Sequence, residues 1–144
     1  MTDTETQVLD ATILAVSQLG MRKTSMSDIA MRADVSRQTV YNLFGTKDGI
    51  FHAAIVHMGE QWRKSARASL KTRDNLSEQL DVLIKVFAFD AYTFSHASPA
   101  STDMLFEARL TAPKAIEQFV AENRNLFREV FEPYSTPLTK KNAS

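Results

Sequence analysis

The sequence predicts an all-α fold of about seven helices, with a tight helix-turn-helix unit near the N-terminal end and a larger helical region after it. Three observations predict it. Apolar residues recur at three- and four-residue spacing over most of the chain, and no stretch alternates as a half-buried strand would. Cap and stop residues divide that pattern into segments of helical length. Residues 26–45 supply the apolar, small and turn-forming positions that two helices need to cross at a steep angle.

Each element follows from its own signals. In the first helix Val8, Leu9, Ile13, Ala15, Val16 and Leu19 form an apolar face, Thr4 or Thr6 is the expected cap, and Gly20 ends it. Ser25 begins a short second helix, with Asp28 three residues on as the acidic half of a capping box, and the helix reaches about Ala33. Ser36 caps a third helix that Gly45 stops after Phe44. Lys47 opens a long fourth helix carrying Ile50, Phe51, Ala54, Ile55, Met58 and Trp62 and ending near Leu70. After the polar connection KTRDN, Leu76, Leu80, Leu83, Ile84, Phe87, Ala91 and Tyr92 mark a fifth helix. SHASPAS reads as a turn, and a short sixth helix runs through Met104, Leu105, Phe106 and Leu110. Pro113 suits the first turn of a seventh, whose core stripe is Ile116, Phe119, Val120, Phe127, Val130 and Phe131. Pro133 and Pro137 are expected to close it, leaving TPLTKKNAS as a frayed tail.

Composition narrows the function classes. An apolar share of 44% over 144 residues supports a packed core. The absence of cysteine excludes disulfides, thiol catalysis and Cys-ligated zinc. No apolar run approaches the roughly 20 residues of a membrane span, and MTDTETQ is unlike a secretory signal. A cytoplasmic location without membrane partners is therefore expected. Basic and acidic residues balance at 17 each, so the useful charge is local. Residues 20–48 hold Arg22, Lys23, Arg32, Arg37 and Lys47 against Asp28, Asp34 and Asp48, whereas residues 1–19 hold Asp3, Glu5 and Asp10 and no base. The stretch 62–73, with Arg63, Lys64, Arg67, Lys71 and Arg73 and no acid, reads as a solvated surface. His52 and His57 are five apart and so face different ways on a helix, which argues against a shared metal site. Asp90, His96 and Glu107 could be assembled into an acid–base set, but nothing in their spacing asks for one. No catalytic residue, metal or cofactor is expected.

The run ADVSRQTVYNLF carries the most information. Ile29, Ala33, Val35, Val40 and Leu43 fall on the inward face of a helix-turn-helix, Ala30 is the small residue at the crossing, and Asp34 occupies the turn position that needs φ > 0. Ser36, Arg37, Gln38, Thr39, Tyr41 and Asn42 are then left on the outer and N-terminal faces of the third helix. That is how a recognition helix presents itself to the DNA major groove. Arg37 can donate a bidentate pair to guanine and Gln38 can do the same on adenine. Thr39 offers a methyl to thymine or a hydroxyl to phosphate, and Tyr41 and Asn42 suit phosphate oxygens. Lys47, and likewise Thr24 and Ser25, stand at helix starts where backbone N–H groups favour an anion. A solvated polar helix face that binds no DNA would look similar.

The stretch ILAVSQLGMRKTSMSDIAMRADVSRQTVYNLFGTKDGIFHAAI, and most specifically TSMSDIAMRADVS followed by TVYNLFGTKDGIF, resembles the TetR family of transcriptional regulators. The resemblance covers residues 7–56 closely. It implies a three-helix DNA-binding domain over residues 1–46 and a helical ligand-binding and dimerisation domain over 47–144. It also implies a homodimer that binds a palindromic double-stranded DNA operator, usually represses, and lets go when a small-molecule effector enters the second domain. The DNA contacts it implies are Thr24 and Ser25 to phosphate, Ser36, Arg37, Gln38 and Thr39 in the groove, Tyr41 and Asn42 to phosphate or base, and Lys47 to phosphate. Asp34 departs from the family's usual turn glycine, and Gln38 is bulkier than the small residue often found there.

For the second domain, the resemblance makes a ligand pocket of Phe87, Tyr92, His96, Met104, Phe106, Phe119, Asn123 and Phe127, with Asp90 and Glu107 as further polar groups. Without it, the same aromatic set reads as ordinary helical core. Family members continue past a seventh helix with two more that pair across the dimer, whereas this sequence ends at Ser144. Dimerisation is thus expected to use other surfaces, or the chain to be a shortened regulator. The alternative function is a small helical ligand- or protein-binding module, or a shortened regulator antagonising a full-length partner, that no longer binds DNA.

Overall fold

The computed structural model describes residues 1–101 and 103–139, and the described residues are helical with no strand. The helices are α1 (Asp3–Leu19), α2 (Met26–Arg32), α3 (Arg37–Phe44), α4 (Lys47–Leu70), α5 (Leu76–Ile84), α6 (Ala91–Ser95), α7 (Met104–Thr111) and α8 (Pro113–Thr139). A π-helical segment, Lys85–Asp90, joins α5 to α6 in one continuous run, so the path is that of the seven helices expected.

Local chemistry explains the boundaries. Thr2, rather than Thr4 or Thr6, caps α1: its hydroxyl accepts the Glu5 N–H at 3.2 Å, and the Glu5 carboxylate accepts the Thr2 N–H at 2.6 Å. The reciprocal box Thr2–Glu5 satisfies two backbone donors and outcompetes the single-sided caps further in. Ser25, Ser36, Thr46 and Asn75 cap α2, α3, α4 and α5 through the same kind of bond. Pro133 does not close the last helix, which continues to Thr139. Pro133 removes the bond to the Glu129 carbonyl, but it is exposed, and water can take up the freed oxygen. Residues 136–139 of the expected tail are therefore helical, and residues 140–144 lie outside the described residues.

The head is built as the helix-turn-helix pattern requires. Ile29, Ala30, Ala33 and Val40 are buried, and Val35 and Leu43 pack partly buried against them. Asp34 has φ 52°, the only positive φ outside glycine among the described residues. A left-handed backbone strains an aspartate less than most side chains but more than glycine. Asp34→Gly is therefore expected to raise stability by about 0.5–1 kcal/mol. A higher urea midpoint at unchanged slope would show it.

Two cores are stacked along α4. The first joins Val8, Leu9, Ile29 and Val40 of the head to Ile50, Phe51 and Ala54 of α4 and Ala108 of α7, so it crosses residue 46 without interruption. The second, at the far end, holds Ala66, Val82, Leu83, Val86 and Leu126. Between them the chain is fastened by polar contacts. Buried His57 on α4 lies with Nε2 2.8 Å from the Asp10 carboxylate of α1. Buried Arg63 donates to Asn123 Oδ1 at 3.0 Å and pairs with Glu122 on α8. Gly59 sits where α8 comes closest, since a Cβ there would lie 2.7 Å from the Phe119 ring. Among the described residues no helix is long and apolar enough to cross a membrane.

Candidate nucleic-acid interface and effector pocket

The start of α3 projects from the head. Ser36, Arg37, Gln38, Tyr41 and Asn42 are exposed and Thr39 is half-buried. Their side chains are not equally available. Ser36 Oγ accepts the Thr39 N–H at 3.0 Å, and the two hydroxyls lie 2.8 Å apart, so both are engaged in the cap. Gln38 Nε2 donates to Asn42 Oδ1 at 2.8 Å, a pairing one helical turn apart that must open before either amide grips a base in bidentate fashion. Arg37 has no hydrogen bond or ion pair among the described residues. Its five-donor fork is free to reach outward, as is the hydroxyl of exposed Tyr41, which has no hydrogen bond among the described residues either.

A basic cluster flanks α3. Lys47, at the first position of α4, donates from Nζ to the Arg22 carbonyl at 3.3 Å and stands 5.4 Å from the centre of the Phe51 ring. An ammonium has three donors, so two remain. The side chain of Arg22 is 85% exposed, and Lys23 is exposed beside it. At the start of α2, Ser25 Oγ accepts the Asp28 N–H at 3.1 Å while Asp28 accepts the Ser25 N–H at 2.9 Å and the Ser25 hydroxyl at 2.6 Å. Thr24 is fully buried, and its hydroxyl donates to the Gly20 carbonyl at 2.7 Å. It cannot present that hydroxyl to a phosphate; the side chain of Thr24 instead locks the turn between α1 and α2.

A cavity of about 370 Å³ lies behind the head. Its walls come from α1 (Ile13, Val16), α4 (Phe51, Ala54, Ile55, Met58, Trp62), α6 (Ala91, Phe94, Ser95), α7 (Met104, Leu105, Ala108, Arg109) and α8 (Ile116, Phe119, Val120), with Met21 from the turn after α1. Trp62 packs edge-on against both Phe94 (6.0 Å) and Phe119 (5.9 Å). Of the eight pocket residues expected from sequence, only Met104 and Phe119 line it. Phe87 and Phe127 pack edge-on at 5.3 Å in the second core. Tyr92 and Phe106 are 65% and 66% exposed, and His96 stacks on the Tyr92 ring at 4.0 Å. Asn123 is held by Arg63. Of the further polar groups, Asp90 pairs with Lys85 at 2.9 Å, and Glu107 turns toward the head, where it accepts the Met21 N–H at 3.2 Å and faces Arg22 at 3.8 Å.

The π-helical segment accounts for the part of that difference that lies on the run from α5 to α6. Buried and half-buried positions recur every four residues at Leu83, Phe87, Ala91 and Ser95, a longer period than the 3.6 of an α-helix. The wider winding leaves Tyr92 outside and brings Ala91, Phe94 and Ser95 to the cavity. The Lys85–Asp90 pair, five residues apart, matches the segment's i to i+5 spacing.

Residues 8–54 match the family described as bacterial regulatory proteins, tetR family. The chain is 31% identical over 86 residues to the HTH-type transcriptional regulator BetI of Paraburkholderia xenovorans (strain LB400), a match covering 59% of this chain and 44% of that relative. The chain thus spans less than half the length of that curated relative. Among solved structures, superantigen PfiT superposes with a TM-score of 0.70 at 16% identity, over 97% of this chain and 73% of that one. The fatty acid degradation regulator FadR from Bacillus halodurans gives 0.68 at 19% identity, over 92% and 70%. At such identities the likeness establishes a shared helical fold.

Within the head, the box at the start of α2 has a pH signature. Hydrogen bonds from the Ser25 side chain, then from its backbone, hold the Asp28 carboxyl below the usual carboxylate range. A carboxyl depressed in the folded state contributes stability that is present above its unfolded pKa, near 4, and is lost as pH falls through the lower folded value. The stability difference between wild type and Asp28→Asn is therefore expected to shrink below about pH 4. Thermal unfolding at stepped pH measures it; a constant difference across that window contradicts the box.

Proposed function

We propose that this chain is a DNA-binding transcriptional regulator that enters the major groove with the start of α3, and that it represses from a palindromic operator as a homodimer. The observation that carries the reading is the free, exposed Arg37 on α3 of a tetR-family head, flanked by Arg22, Lys23 and Lys47. Arg37 and Gln38 read base edges, while Tyr41, Asn42, Ser25 and Lys47 position the backbone. Two recognition helices must then meet half-sites roughly 34–36 Å apart.

The cavity behind the head receives a small-molecule effector. It shares walls with α1 and α4, so an occupant presses directly on two helices that carry the head core. Movement of α4 changes the separation of the recognition helices and releases DNA. Selection of bound sequences from a random DNA library with the full chain tests the proposal. Enrichment of an inverted repeat with salt-dependent binding supports it. No enrichment over the starting pool at low salt contradicts it.

A further inference from the structure

We infer that the cavity takes an apolar small molecule with a single anionic head group, held at the mouth by Arg109. This rests on reading the cavity as the effector site. The floor is deeply buried and apolar, with Val16, Met21, Phe51, Ala54 and Ala108 all under one-tenth exposed. Exposure rises toward α7 and α8, where Leu105 (57%) and Val120 (47%) form a rim and exposed Arg109 stands among them.

The polar groups of the lining select the head group. Ser95 is engaged internally, its hydroxyl donating to the Tyr92 carbonyl at 3.0 Å. The others are the Arg109 guanidinium and the Trp62 indole, neither of which has a hydrogen-bond partner among the described residues. Both are donors only, so the ligand must bring an acceptor. Among the described residues no carboxylate lines the cavity, so a cationic ligand finds no counter-charge there and meets Arg109 instead. A carboxylate fits the planar fork, with the tail lying along the aromatic and methionine walls. At about 370 Å³ the cavity is within the size range of small-molecule sites.

Trp62, the chain's single tryptophan, lies in the cavity wall and reports occupancy by its fluorescence. The full chain is titrated with decanoate, decanol and decyltrimethylammonium below their micelle concentrations. Decanoate is expected to bind about tenfold more tightly than decanol, and the cationic analogue more weakly than either. Arg109→Gln should bring decanoate down to the level of decanol and leave decanol unchanged. Arg109→Lys, which keeps the charge but not the fork, should restore part of the preference. Arg109 is exposed, so folding does not confound these variants. If decanol binds as well as decanoate, or if Arg109→Gln leaves the preference intact, the anionic class is wrong while the cavity remains a ligand site. If none of the three perturbs Trp62 or gives a binding heat, the effector-site reading falls with it.

Discussion

Gly20→Ala is expected to destabilise the protein by about 3 kcal/mol and to lower its unfolding temperature by roughly 10 °C. Gly20 follows α1 with φ +78° and ψ 162°, a region that side-chain-bearing residues avoid at a cost of about 1–3 kcal/mol. A Cβ there would also lie 2.6 Å from the Ala100 carbonyl oxygen. That carbonyl cannot easily retreat. Its turn is fixed by the Ser101 N–H to the Ser98 carbonyl at 3.1 Å, and by the Ser98 hydroxyl to the Ser17 carbonyl at 2.9 Å. Gly45 supplies the control, because it has nearly the same φ, +75°, but open space where a Cβ would go. Gly45→Ala should therefore cost only the backbone strain, about 1–2 kcal/mol. Parallel thermal unfolding of the two variants decides it. Equal losses would mean that α1 does not pack tightly against residues 98–101.

Arg37→Ala should remove about 1–3 kcal/mol of discrimination at one base pair while leaving binding to unrelated DNA nearly unchanged. Lys47→Ala should weaken every sequence alike and lower the salt slope by about one unit. The geometry separates the two residues. Arg37 has no internal partner, so its removal leaves the head intact. Lys47 also ties α4 to the Arg22 carbonyl, so its loss loosens the turn between α1 and α2 as well as removing the proposed phosphate contact. Titrations on selected and shuffled operators at several salt concentrations distinguish these outcomes. A uniform loss on all sequences for Arg37→Ala would refute its role as a base reader.

The head was legible because its signals are local. Ser25 and Asp28 are three apart in sequence and form a box in space, Gly20 and Gly45 stop helices where they stand, and Asp34 takes the positive φ its place in the turn demands. The Thr2–Glu5 box is equally local, but it stands further from the apolar stripe than Thr4 and Thr6, so apolar spacing alone points to the wrong threonine. The Thr24 side chain is ambiguous in sequence for a different reason. A threonine just before a helix start can face solvent or fold back, and only the path of the chain after α1 puts the Gly20 carbonyl within its reach.

The cavity was not legible in the same way. Its walls are gathered from five helices, and one of them is reached through a π-helical segment whose winding no 3.6-residue pattern anticipates. That winding sets the phase of α6, so that Phe94 lines the cavity and Tyr92 is left exposed. Arg109 carried no sequence signal, since an arginine on a short helix reads as a solvated charge. The sequence by itself determined the helices, the helix-turn-helix and the identity of its outward polar face, because caps, turns and apolar spacing act over a few residues. Tertiary structure alone decided which of those polar groups are free, as Arg37 is and Thr24 is not, and where an apolar space opens toward one unpaired guanidinium. Both depend on which distant segments converge, and no local pattern encodes that.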